Sequence, residues 1–200
     1  MIQFYSNREL SEKLDINLAR WKRWSRDFLP PDPLGGMRSG YARQYAFKEL
    51  FKVYLGGYLL HHLKLTVAEA QRIVADLSPW LNRNGFFALK GPSGSQTGAA
   101  MGTVRVYAAR RRPADASGKI AFGYLIRHTI ETDAHASSAV GRITQTHAET
   151  PLQLEREDRW AFMQRPELYL INLGPLHADL LVKLYPPLPA GGSGTESPGR

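Results

Sequence analysis

The residues best suited to chemistry lie between positions 17 and 27. Arg20, Lys22, Arg23 and Arg26 are closely spaced cations, interleaved with Leu18, Trp21, Trp24 and, just beyond, Phe28. At helical periodicity the aromatic and aliphatic side chains fall on one stripe, and cations fill much of the rest. Such a helix can bind a polyanion. Arginine reads guanine and asparagine reads adenine by paired hydrogen bonds, and an α-helix fits the width of the DNA major groove. Asn17 and Arg20, near the start of the helix, are therefore candidates for base edges. Arg26, Arg38 and Lys48 are candidates for phosphate contacts. The plainer reading of the same pattern is a solvated basic face without a ligand.

Whole-chain properties narrow the partners. The chain has 200 residues, 43% apolar and 22% charged, an ordinary globular composition. That length allows one large domain or two small ones. A formal net charge of +8 favours nucleic acid or another anionic surface as partner. With no cysteine there is no disulfide, no thiolate metal site and no cysteine nucleophile. No stretch approaches the roughly 18 apolar residues of a membrane span. Charges at Arg8, Glu9, Glu12 and Lys13 within the first helix argue against a signal peptide. The expectation is a cytoplasmic, nucleoid-associated protein with no membrane partner.

Several elements must position the basic stretch. Ser6 and Glu9 are spaced as a capping box, and Leu10 and Leu14 follow at helical spacing, so a helix is expected over 7–14. Asn17 caps a second helix, which Pro30 and Pro31 terminate. Residues 32–40 read as loop and 41–45 as a short returning strand, an arrangement like a wing that carries Arg38 and Arg43. Residues 47–63 give the strongest helical pattern, through Phe47, Leu50, Phe51, Tyr54, Leu55, Tyr58 and Leu59. Gly56 and Gly57 are expected to weaken, end or bend it. His61 and His62 near its end suit the negative end of a helix dipole better than a metal site, since no third ligand is close in sequence. Thr66 and Glu69 form a second capping box, and the helix that follows is expected to stop before Pro79.

Residues 90–102 have the composition of a linker. Beyond them the period changes to two. Residues 103–109 and 119–131 read as strands of a hairpin, with Arg110, Arg111 and Arg112 in a basic turn that is either solvated or in touch with phosphate. Residues 132–150 are polar and read as a loop. His128, Asp133, His135 and His147 invite a metal hypothesis, but their spacing matches no standard site. Residues 167–173 read as a strand, 176–184 as a final helix, and 186–200 as a disordered tail.

Read together, residues 4–78 resemble the MerR-type winged helix-turn-helix domain. The run Tyr5-Ser6-Asn7-Arg8-Glu9-Leu10 stands where that family opens its first helix, and Ile16-Asn17-Leu18 where it turns into the recognition helix. Lys22-Arg23-Trp24 falls at its Arg-Tyr-Tyr, and Leu29-Pro30-Pro31 at its Leu-Pro-Pro exit. Gly40-Tyr41-Ala42-Arg43-Gln44-Tyr45 is similar to its wing strand with one residue inserted, and Phe47-Lys48-Glu49-Leu50 to the helix start after the wing. Leu63 to Ala70 is similar to its next helix entry. The resemblance implies a dimer on promoter DNA, with Lys22 and Arg23 contacting the duplex from the helix and Arg43 and Tyr45 from the wing. The chain departs from the pattern at Ala19, at Arg23-Trp24 and in leaving no room for a long dimerisation helix.

The expected organisation is a mainly α winged helix-turn-helix over 1–89, MerR-like, then a small α+β domain over 103–185 with an antiparallel hairpin. The expected function is a DNA-binding transcriptional regulator acting on double-stranded DNA. It would act as a homodimer, with a small-molecule or protein effector at the C-terminal domain, no cofactor and no enzymatic activity. The alternatives are an architectural, excisionase-like accessory protein and a protein-interaction adaptor whose helix-turn-helix does not bind DNA.

Overall fold

The computed structural model describes residues 4–32, 43–88, 104–111, 120–133, 143–154 and 159–186. In chain order the elements are β1 (Tyr5–Ser6), α1 (Asn7–Leu14), α2 (Leu18–Phe28), β2 (Gln44–Tyr45), α3 (Phe47–His61) and α4 (Val67–Arg83). There follow β3 (Val104–Arg111), β4 (Ala121–Asp133), β5 (Ile143–Leu152), α5 (Arg159–Met163), β6 (Leu168–Asn172) and α6 (Leu173–Leu184). Among the described residues, no helix is long and apolar enough to cross a membrane.

The caps fix the N-terminal helices. Ser6 Oγ accepts from the Glu9 N–H and the Glu9 carboxylate accepts from the Ser6 N–H, so α1 begins where the capping box is written. Asp15 ends α1 in the left-handed region at φ 52°, a conformation that aspartate tolerates. Asn17 Oδ1 then accepts from the N–H groups of Ala19 and Arg20 to open α2. β1 pairs antiparallel with β2, Tyr5 opposite Tyr45.

Gly56 and Gly57 do not end α3, which runs on to His61. They form a notch instead. A Cβ at Gly56 would lie 2.4 Å from the Phe28 ring, and one at Gly57 would lie 2.3 Å from the Trp24 ring. Two α2 aromatics therefore press directly on the α3 backbone, which the missing side chains permit. Pro79 likewise sits inside α4 rather than after it. The proline removes one backbone donor, while Ser78 Oγ donates to the Val74 carbonyl at 2.6 Å.

The C-terminal segment forms an antiparallel sheet in the order β5-β4-β3-β6. Two expectations are corrected here. Arg110 and Arg111 belong to β3 and not to a turn, and much of the expected loop over 132–150 is β5. β5 contains Thr144, Thr146 and Thr150, β-branched residues that favour a strand, and it is an edge strand paired with β4. The inner face of the sheet, with Val106, Ala108, Tyr124, Ile126 and Ile171, lies in the same apolar core as Leu10, Trp21, Leu50, Phe51 and Ile73. Residues 90–102 are outside the described set, and the segments on either side of them share this one core. On the outer face Phe162 of α5 packs with Ala109, Leu125 and Leu154.

α6 joins the two segments. Tyr5 Oη donates to Tyr185 Oη at 2.6 Å, Lys13 Nζ donates to the Leu184 carbonyl, and Tyr54 Oη donates to Asp179. His177 of α6 is fully buried against the rings of Phe47, Phe51 and Phe86, and neither ring nitrogen has a hydrogen-bond partner.

Two outcomes are expected from this packing. Burial lowers the His177 pKa from 6.5 to about 4. The native imidazole therefore stays neutral while the unfolded one takes up a proton, so stability is lost as pH falls from 6.5 to about 4. The loss is about 3 kcal/mol. Denaturant unfolding of His177→Leu across that range should show a flatter profile; an unchanged profile contradicts the assignment. Gly57→Ala should lower stability by about 1–3 kcal/mol despite alanine's better helix propensity, because the added methyl overpacks Trp24. Thermal melts would read this.

Candidate nucleic-acid interface

α2 is held by its buried side. Trp21, Trp24 and Ser25 are buried, while Ala19, Lys22, Arg23 and Arg26 are exposed. At 100° per residue these exposed residues are neighbours on one face, centred opposite Trp21. None of the three cations has a hydrogen-bonded or ion-paired partner among the described residues. Ala19, Lys22 and Arg26 also border a groove of about 610 Å³, walled by Leu29, Pro30 and Pro31.

Arg20 departs from this face. It lies on the other flank of α2, in a separate cleft with Trp24 and His61. Asn17 is exposed, but its carboxamide oxygen already accepts two backbone N–H groups. Paired adenine recognition needs that oxygen's neighbourhood free, so capping is the role its geometry gives it.

The two wing residues are structural. Tyr45 is 1% exposed, so it is not the surface contact the resemblance implies. Its hydroxyl donates to Asn7 Oδ1 at 2.7 Å and lies 2.7 Å from Ser25 Oγ, and its ring meets Trp21 edge-on at 5.7 Å. Burial raises its pKa, so it remains a neutral phenol. The Arg43 side chain is 15% exposed. It donates to the Pro30 carbonyl at 2.9 Å and pairs with Glu49 at 3.2 Å, with its guanidinium over the Tyr45 ring. Arg43 thus fastens the chain leaving α2 to the first turn of α3 and is not free to hold a phosphate. Lys48 is exposed, and its ammonium lies over the Phe87 ring at 5.4 Å. Arg38 lies outside the described residues.

The remaining basic side chains divide in the same way. Arg110, expected to be solvated or near phosphate, pairs with Glu69 at 2.6 Å and with Glu167 at 3.3 Å. The Arg110 and Thr66 hydrogen bonds hold the Glu69 carboxyl below its usual value against the opposing effect of burial. Arg127 donates twice to Glu149 across β4 and β5. None of these partners is near in sequence, so only Thr66–Glu69 was visible beforehand. Of the suggested metal ligands, His135 lies outside the described residues. Among the described residues no group of three or more His, Cys, Asp or Glu side chains is placed to hold a metal ion. His147 Nδ1 instead lies 3.0 Å from Thr129 Oγ1.

Comparison with family models, with curated proteins and with solved structures gives no match. The likeness of residues 4–78 to MerR-type domains accordingly rests on the motifs quoted above.

Arg43→Ala should lower stability by about 1–2 kcal/mol, since it removes a part-buried, charge-assisted hydrogen bond to Glu49 and a second one to the Pro30 carbonyl. Calorimetric melts give the direct check. An unchanged melting temperature accompanied by weaker duplex binding would return Arg43 to the surface role.

Proposed function

We propose that this protein is a DNA-binding transcriptional regulator that presents α2 to the major groove. One observation carries the reading: Lys22, Arg23 and Arg26 share the exposed face of a helix whose opposite face is locked into the core, and none of them is ion-paired to a described carboxylate. In this reading α1 and α2, joined by residues 15–17, form a MerR-like helix-turn-helix; most of the loop expected to be its wing lies outside the described residues. The nearer a residue is to the N-terminus of a recognition helix, the closer it comes to base edges. Lys22 and Arg23 would read guanine, Ala19 would meet a thymine methyl, and Arg26 would hold a phosphate. The protein would bind as a homodimer, as the resemblance implies, and would be associated with the nucleoid.

The test is fluorescence anisotropy of the full chain on the duplex upstream of its own gene and on a scrambled duplex, across a salt series. The upstream duplex should bind more tightly, with log affinity falling steeply with log salt. Arg26→Ala should weaken both duplexes alike and reduce the salt slope by about 1. Arg23→Ala should relax preference at one base position, at a cost of roughly 1–3 kcal/mol. Equal, salt-sensitive binding to both duplexes would favour an architectural protein, and binding to neither would remove the reading.

A further inference from the structure

A second concavity lies on the flank of α2 away from the groove beside Lys22. It holds about 400 Å³ and is walled by the α1–α2 turn, α2, α3 and α6. That is at the small end of the roughly 300–1,000 Å³ typical of ligand clefts, a size for one or two fused rings. Its walls are aromatic. Trp24 and Tyr54 line it, and Tyr58 and His62 lie face to face with centroids 4.9 Å apart and an interplanar angle of 28°. Trp24 is buried and forms the floor, whereas Tyr58 is half-buried and His62 exposed, so this pair offers ring surface on which a further planar ring can stack.

The polar groups are sorted by charge. On the α6 side Asp179 accepts from Tyr54 Oη at 2.5 Å and pairs with Lys183 at 2.9 Å, and Lys183 also donates to Tyr54. These three satisfy one another. On the α2 side Arg20 and His61 have no hydrogen-bonded or ion-paired partner among the described residues. The surroundings there are positive. Lys64 above all, with smaller contributions from His62 and Arg20, holds the His61 imidazole below its usual value. The carboxylate on that side is Asp15, exposed at the end of α1.

We infer that this cleft binds a small aromatic carboxylate, its ring stacked against the Tyr58–His62 pair over the buried Trp24 and its carboxylate paired with Arg20. The guanidinium fork matches a carboxylate in two parallel hydrogen bonds, which a neutral amide cannot reproduce. A cationic aromatic compound meets repulsion from the same groups. The inference does not rest on the DNA-binding reading, since occupancy is measured without DNA. The two would meet in α2, where a ligand held between Arg20 and α6 restrains the helix from the side opposite the groove.

The experiment is isothermal titration of the full-length protein with 2-naphthoate, with its neutral analogue 2-naphthamide, and with benzoate. One saturable site for 2-naphthoate is expected, with 2-naphthamide weaker by about tenfold or more. Arg20→Gln should cut 2-naphthoate affinity by a similar factor, whereas Lys22→Gln, on the other face of the same helix, should leave it unchanged. Both are exposed positions, and circular dichroism would verify that each variant folds. Equal affinity for the acid and the amide overturns the inference. So does full affinity in Arg20→Gln, or the absence of saturable binding by both 2-naphthoate and benzoate.

Discussion

The contact between α2 and the glycine notch of α3 is the constraint on which the rest depends. Trp24 and Phe28 sit against the backbone at Gly57 and Gly56, closer than any side chain there would allow. Trp21, one turn before Ser25, is fully buried and meets Tyr45 edge-on. With these aromatics fixed, α2 cannot rotate about its own axis without emptying tightly filled space, which costs several kcal/mol in a packed core. Which cations face outward therefore follows from which aromatics face inward. Lys22, Arg23 and Arg26 share one face for that reason, and Arg20 is turned toward the second cleft.

The polar contacts around α2 reinforce the same placement. Tyr45 connects Asn7 at the start of α1 with Ser25 in the middle of α2. Arg43 connects the Pro30 carbonyl with Glu49, and the Glu49 carboxylate also accepts from the Ala46 N–H at the head of α3, where alanine offers no cap of its own. The Tyr45 and Ser25 hydroxyls satisfy one another in the buried part of this chain of contacts, which makes the arrangement specific as well as favourable. A charged residue can thus contribute to an interface without touching the ligand, by holding the helix that does.

α6 gives the C-terminal segment its hold on the N-terminal helices. Leu173, Leu176, Leu180 and Leu184 bury one side of it, and His177 enters the Phe47, Phe51 and Phe86 cluster. The pairs Tyr54–Asp179 and Lys13–Leu184 close its margins. Glu69 with Arg110 and Asp76 with Tyr124 tie α4 to the sheet at two further points. The two segments thus share one core, in which α6 and the sheet pack with residues of α2 and α3.

The amino-acid sequence by itself determined the local elements near the N-terminus. Ser6 with Glu9, Asn17, Pro30, and Thr66 with Glu69 are short-range signals whose chemistry acts within one helical turn, and α1, α2 and the start of α4 lie where those signals put them. It also supplied the basic and aromatic stripes of α2. Only the tertiary structure decided what the long-range positions do. Gly56 and Gly57 read locally as helix breakers, yet the rings of α2 make them a notch. Arg43 and Tyr45 read as wing contacts, yet Glu49 and Ser25 draw them inward. The polar run that contains β5 becomes a strand because β4 offers it a ladder. In each case the partner lies on a different element, and burial and hydrogen bonding with that partner outweigh the residue's local preference.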